Sequence, residues 1–279
     1  MKRVAWALVI AHVVAMVFGL FGILIAIPHP ELWAHSPGAA AFYTFALERA
    51  GGTGMILGAL AMLAYGGWAY GWRRTLLFFV AATVLSATAE LTGTKTGWPF
   101  GGYAYLAFLG PKLFGRVPFT IPLAWFYMGF ASFVLADTIV RARPRRTLAS
   151  IVLGTYFLVA WDLVLDPSMA APQLQYLHFW QWFERGPYFG MPLRNLAGWF
   201  GTGLAFIGLA RWSWHERSAP ASPAAMPYAV YATNVAWSIV LALAAGMWPV
   251  ALIGVALSLA PATLAVRPRP RRARLAGAR

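Results

Sequence analysis

Apolar stretches of roughly 20 residues recur along this chain, each long enough to span the ~30 Å hydrocarbon core of a bilayer as a helix. Eight are read, at positions 4–27, 52–70, 75–91, 119–140, 148–165, 195–212, 228–245 and 248–266. A soluble domain carries about 25% charged residues, whereas 11% of these 279 residues are charged. Too few charges exist to cover a water-exposed surface. The sequence therefore predicts an all-α integral membrane protein of about eight transmembrane helices with aromatic, glycine-rich connections. Residues 1–266 form a single polytopic domain and 267–279 a basic tail. The alternating ten-residue segments of a membrane β-barrel do not occur.

The first apolar stretch begins "MKRVAWALVIAHVV" and exceeds the apolar core of a signal peptide, with no A-x-A site closing it. It is read as a retained spanning helix. The last two stretches are separated by "GMWP" and form a tight hairpin.

Orientation follows from the basic residues in alternating connections. One side holds Lys2, Arg3, Arg73, Arg74, Arg141, Arg143, Arg145, Arg146, Arg211, Arg217 and the six arginines of the tail. The other holds Arg49, Lys95, Lys112, Arg116, Arg185 and Arg194. That asymmetry of 16 against 6 places both termini in the cytoplasm of a multi-pass cell-membrane protein. The net charge of +14 is thus spent on topology, and nucleic-acid binding is not implied. Cysteine is absent, which excludes disulfides, thiolate catalysis and iron–sulfur ligation.

Two long connections then lie on the extracytoplasmic side, "ELTGTKTGWPFGGYAY" and "DPSMAAPQLQYLHFWQWFERGPYFGMPLRN". Both combine glycine with aromatics. "GWPFGG…IPLAWF" and "GPYFG…MPLRNLAGWF" echo one another, as a duplicated helix–loop–helix would. Six of the eight acidic residues fall at these outer ends: Glu31, Glu48, Glu90, Asp162, Asp166 and Glu184.

Helical spacing gathers three polar stripes at the same depth. Thr83, Ser86 and Glu90 share one face, as do Thr155, Asp162 and Asp166, and Asn195, Trp199 and Thr202. Carboxylates at membrane depth are costly and mark functional interiors. Glu90, Asp162 and Asp166 are therefore the candidate catalytic residues. The bland alternative pairs them with Lys95, Arg116 or Arg194, and "DP" at Asp166 also reads as a helix stop. Trp98, Trp125, Trp161 and Trp199 neighbour the stripes and are candidates for a pocket wall. Asp137, with Arg141 one turn later, reads as a helix salt bridge. His12 reads as a hydrogen-bonded packing residue and Asn234 as a helix–helix hydrogen-bonder. The histidines, His178 and His215 among them, form no zinc or di-iron spacing. Asp162 and Asp166 form D-x3-D, the spacing that holds a magnesium diphosphate in membrane prenyltransferases. No N-x3-D accompanies it, and the pair lies outside, away from cytoplasmic isoprenyl diphosphates.

The segments "AELTGTKTGWPFGGYAY", "VPFTIPLAW", "WDLVLDPSM" and "GPYFGMPLRNLAGWF", in this order, resemble the carotenoid biosynthesis membrane family that includes CruF-type carotenoid 1′,2′-hydratases. The resemblance covers roughly 86–203. It implies addition of water, without a cofactor, to the terminal C1′=C2′ bond of an acyclic carotenoid end. Substrates of the γ-carotene type or C50 bacterioruberin precursors are implied, as is association with membrane lipid and other carotenoid enzymes.

The residues fit such chemistry. Hydrating a trisubstituted alkene needs a protonated acid, stabilisation of a tertiary cation by aromatic faces or an anion, and a group that orients and deprotonates water. Burial in a low-dielectric site keeps a carboxylic acid protonated. Asp162 or Glu90 is the expected proton donor, the other carboxylates stabilising the cation and deprotonating water. Asn195 or Tyr103 would hold the water, and Phe100, Tyr103, Tyr105, Trp125, Trp161, Asn195 and Trp199, with Trp98, would bind the substrate. Gly93, Gly97, Gly101 and Gly102 would let the loop approach the polyene. A carotenoid cyclase or isomerase shares the protonation step and is the nearest alternative. A pigment or lipid transporter is the non-enzymatic one.

Overall fold

A computed structural model describes residues 1–106, 108–174, 179–214 and 223–267. His178, His215 and the basic tail beyond Arg267 lie outside the described residues. Helix α1 covers Lys2–Phe21 and continues as a wider π-helical turn over Gly22–Ala26. It is followed by α2 (Pro37–Ala69), α3 (Trp72–Thr96), α4 (Thr120–Ile139), α5 (Arg146–Met169), α6 (Leu193–Ser213) and α7 (Ala225–Ala244). Helix α8 begins at Trp248–Ile253 and runs on through a π-helical stretch, Gly254–Leu259, to Ala265. Gly246, at φ 74°, makes the tight turn of the α7–α8 hairpin.

Seven of these helices are long and apolar enough to cross a membrane, which makes this a multi-pass membrane protein. Helix α6 is the eighth long helix and falls outside that set. Its 21 residues suffice in length, but Arg194, Asn195, Thr202 and Arg211 dilute its apolar character.

Several helices extend beyond their apolar stretches. Helix α2 starts at Pro37 rather than near Gly52, because Ser36 caps it by accepting from the Ala39 amide and Pro37 suits the first helical turn. Helix α3 continues to Thr96 and stops where Gly97 turns left-handed at φ 78°, its N–H bonding to Gly93 O. Helix α5 runs through Pro167 to Met169, so the "DP" pair does not end it. Proline at position 167 deprives the Leu163 carbonyl of its helical partner. The Tyr188 hydroxyl supplies the missing donor at 3.0 Å.

Helix α4 is the axis of the bundle. It is apolar on all sides and buried along almost its whole length, as a central helix must be. Around it pack α2, α3, α5, α6 and α7, while α1 lies outermost against α2 and α7. Four buried groups bind this arrangement together. His12 bonds to Gly54 O at 2.8 Å and to Asn234 Nδ2 at 3.0 Å, and Tyr127 donates to Asn234 Oδ1 at 2.9 Å. The packing role of His12 and the interhelical role of Asn234 are both seen here.

Asp137 has a partner that the one-turn spacing did not indicate. Its carboxylate takes a bidentate pair of bonds from Arg146, at 2.8 and 2.5 Å. Helix α4 ends at Ile139 and the chain reverses, which brings the first residue of α5 back over Asp137.

The two aromatic connections meet. Strand β1 (Tyr103–Tyr105) pairs antiparallel with β4 (Trp180–Trp182), with Tyr103 opposite Trp182 and Tyr105 opposite Trp180. Between them in sequence lies a small hairpin of β2 (Lys112–Leu113) and β3 (Val117–Pro118).

Candidate functional site

A cavity of about 390 Å³ lies beneath the paired strands β1 and β4. Most of its wall is apolar, and polar groups gather from α3, α5, α6 and the two loops.

Glu90 enters from the last turns of α3 and is buried. Strand geometry explains its partners. Side chains two apart on a strand face the same way, so Tyr103 and Tyr105 both reach one carboxylate oxygen. Tyr103 Oη donates a short bond to Glu90 Oε2, and Tyr105 Oη donates to the same oxygen at 2.9 Å. Trp125 Nε1, from α4, donates to Glu90 Oε1 at 2.9 Å. Burial, and then the neighbouring Glu90 charge, push both phenols well above the ordinary tyrosine range. They stay protonated and remain donors. Glu90 is an acceptor in all three bonds, the arrangement a carboxylate calls for.

Asp162 and Asp166 are one turn apart on α5, and Asn195 faces them from the first turn of α6. The Asn195 amide nitrogen lies 3.0 Å from Asp162 Oδ2 and 2.6 Å from Asp166 Oδ2. Asp166 and Asn195 line the cavity, whereas Asp162 stands behind them. Asp162 Oδ1 is buried without a hydrogen-bond partner, and so is the indole Nε1 of its neighbour Trp161. The two carboxyl groups are thus far less well supplied with donors than Glu90.

Aromatic faces close the space between them. Trp125 and Trp199 stack with centroids 3.9 Å apart, and Trp161 stands edge-on to Trp199 at 5.9 Å. Phe100 is wedged between α3 and α6. A side chain at Gly93 would come within 2.8 Å of its ring, and one at Gly198 within 2.5 Å.

Glu90, Asp166, Phe100, Tyr103, Tyr105, Trp125, Trp161, Asn195 and Trp199 therefore share one cavity wall. Trp98 does not join them: it is 70% exposed on the turn after α3. The glycines at 93, 97, 101 and 102 also lie off the cavity. They admit the loop's own rings and neighbouring side chains, Phe100 and Tyr103 at Gly93 and Phe183 at Gly102. None of Lys95, Arg116 and Arg194 pairs with the buried carboxylates among the interactions seen. Arg194 instead meets the exposed Glu184 at 3.4 Å, and Arg116 donates to Thr94 O. Among the described residues, no three His, Cys, Asp or Glu side chains cluster in a manner that would hold a metal ion.

The sequence reading missed Trp180, Trp182, Tyr127 and Trp237 as cavity residues. The W-x-W alternation of a strand was present at 180–182, and it matches the Y-x-Y of 103–105. It also missed the contribution of α1 and α2, whose lining residues are apolar and carry no polarity signal.

Comparison with known proteins gives the site its family context. A sequence profile of the family described as carotenoid biosynthesis protein matches residues 50–261. A bisanhydrobacterioruberin hydratase of Haloarcula japonica is 36% identical over 137 residues, which is 48% of this chain and 44% of that relative. The aligned region thus spans under half of each protein. No solved structure matches the chain.

Proposed function

The chain belongs to the carotenoid biosynthesis protein family, and from that premise we propose that it adds water to the terminal C1′=C2′ bond of an acyclic carotenoid end group. The named hydratase among its relatives supports this reading, because the aligned protein carries out a hydration according to its name. The observation that carries it is the pairing of two unlike carboxyl clusters across one aromatic cavity.

Asp166 is the proton donor in this scheme. It lines the cavity, and its carboxyl rests against Asn195 and the more deeply placed Asp162. This differs from the expected donor, Asp162 or Glu90, and is favoured because Asp166 is the aspartate that lines the cavity. Its proton passes to C2′, the double-bond pair forms the new C–H bond, and C1′ becomes a tertiary cation. The faces of Trp125 and Trp199 and the Glu90 carboxylate, held by three donors, stabilise that charge. Water then adds its oxygen to C1′ and surrenders a proton to a carboxylate, Asp166 being regenerated in the cycle. Trp161 Nε1, buried and unpartnered, supplies a donor for orienting that water. The product is a tertiary alcohol. The preferred carotenoid, of the γ-carotene or C50 type, is part of the proposal. So are the cell-membrane location, eight crossings with both termini cytoplasmic, and the site on the extracytoplasmic side.

Expression in a carotene-accumulating host tests the reading. The pigment should gain the mass of one water, with its oxygen taken from labelled water and none from O₂. A cyclised or isomerised product of unchanged mass would replace hydration with the related protonation chemistry.

A further inference from the structure

The catalytic clusters sit at one end of the cavity, and the other end runs out toward the membrane. Its far wall comes from the C-terminal half of α1 and the N-terminal half of α2. Ala15, Gly19, Gly22 and Ala26 recur on α1 at intervals of four, three and four, which is one helix face about 16 Å long. A side chain added at Gly19 or Gly22 would meet nothing within 4 Å. The face is therefore bare because the space beside it is open, and no neighbouring helix packs into it.

Four residues that line this space are also turned outward: Phe18 (44% exposed), Phe21 (56%), Leu32 (59%) and Phe42 (61%). A residue that borders both the cavity and the exterior marks where the cavity opens. Phe18 and Phe21 belong to a helix apolar enough to span the membrane, so the opening faces hydrocarbon. The rings of Phe18 and Phe42 meet edge-on across it, 6.4 Å apart. Trp33 bounds it at the end of α1, bonded to Ala26 O at 2.8 Å and stacked on Tyr43 at 4.1 Å.

Size argues the same way. Pockets that enclose whole drug-sized ligands measure about 300–1,000 Å³, and this one lies near the bottom of that range at about 390 Å³. A long polyene cannot be enclosed in it. Only an end group fits, and the remainder must leave through an apolar exit.

We propose that α1 and α2 form a lateral gate, with Phe18 and Phe42 as its leaves, through which one end of a bilayer-dissolved polyene reaches Asp166 and Glu90 while the rest stays in lipid. The bare face of α1 is the track on which the polyene lies. This rests on the hydratase reading for the identity of the ligand, and its test is separable from that reading.

The chain has no cysteine, so Phe18→Cys with Phe42→Cys introduces the sole thiols, and a short bismaleimide can tie the leaves together. The first readout is carotene taken up from liposomes per mole of purified protein, which requires no chemistry. Tying the gate should slow uptake by about tenfold or more against the same double variant left untied. Gly19→Leu with Gly22→Leu should lower the amount bound by a similar factor. Gly208→Leu on α6, also in open space but away from the cavity, should leave it unchanged. Uptake at the same rate through a tied gate, or wild-type protein that takes up no carotene, overturns the proposal. If carotene loads through the gate and emerges with its mass unchanged, the hydratase reading fails and the gate stands.

Discussion

The amide nitrogen of Asn195 lies 2.6 Å from Asp166 Oδ2, joining α6 to the carboxyl that faces the cavity. The same nitrogen lies 3.0 Å from Asp162 Oδ2. One side chain thereby fixes the position of two buried acids, and this makes it the most exacting place to perturb the site.

Asn195→Ala removes a donor from two buried acceptors, at about 1–3 kcal/mol for each group left unsatisfied. The unfolding midpoint in detergent should fall. The hydration rate of the folded protein should drop by about tenfold or more. Unchanged turnover would mean that Asp166 does not depend on Asn195 for its placement.

Glu90→Gln turns one of the two accepting oxygens into an NH₂ donor, set either against the Tyr103 and Tyr105 hydroxyls or against the Trp125 indole N–H. Loss of the anion should lower turnover by about 10²–10⁴. Carotene uptake should survive, because the apolar wall is untouched. A variant with full turnover would remove Glu90 from the cation-stabilising role.

Asp137→Asn separates stability from chemistry. The Asp137 carboxylate is buried, its partner Arg146 is half-buried, and the pair lies at the opposite end of α4 and α5 from the site. Leaving a partly buried charged group without its partner costs about 1–3 kcal/mol. Thermal unfolding should shift down strongly, while turnover per folded molecule stays near wild type.

Alkaline pH should expose Tyr188. Burial, with a contribution from Asp162, raises this phenol from 10.0 to about 12. Below pH 10 the phenol is protonated whether the chain is folded or not, and stability is flat. Between pH 10 and about 12 the unfolded chain loses the proton that the folded chain retains, so stability falls as pH rises. The unfolding midpoint followed across that window should decline, and Tyr188→Phe should decline less steeply.

Much of the site was legible because membrane burial makes polar residues conspicuous. Glu90, Asp166 and Asn195 stood out as polar positions on otherwise apolar helices, and the helical period was enough to group them. The short strand that makes Tyr103 and Tyr105 neighbours on one face was not read from the sequence, which showed only an aromatic, glycine-rich loop. What was not legible depends on how helices sit side by side. Asp162 and Asp166 share one face of α5 in sequence terms, yet the placement of α6 decides which of them meets the cavity. Arg146 meets Asp137 because a chain reversal, invisible to a one-turn spacing rule, brings it back. Trp98 belongs to the same aromatic loop as Phe100 and still points away. The small residues of α1 read as ordinary apolar helix until the empty space beside them is seen.

The central claim is that Asp166 delivers the proton that starts hydration. Its most direct test is Asp166→Asn, expressed beside wild type in a carotene-accumulating host, with pigments analysed by mass after growth in labelled water. Wild type should yield pigment carrying one added water with labelled oxygen. The variant should bind carotene and return it unhydrated. Labelled tertiary alcohol formed by Asp166→Asn at the wild-type rate would contradict it.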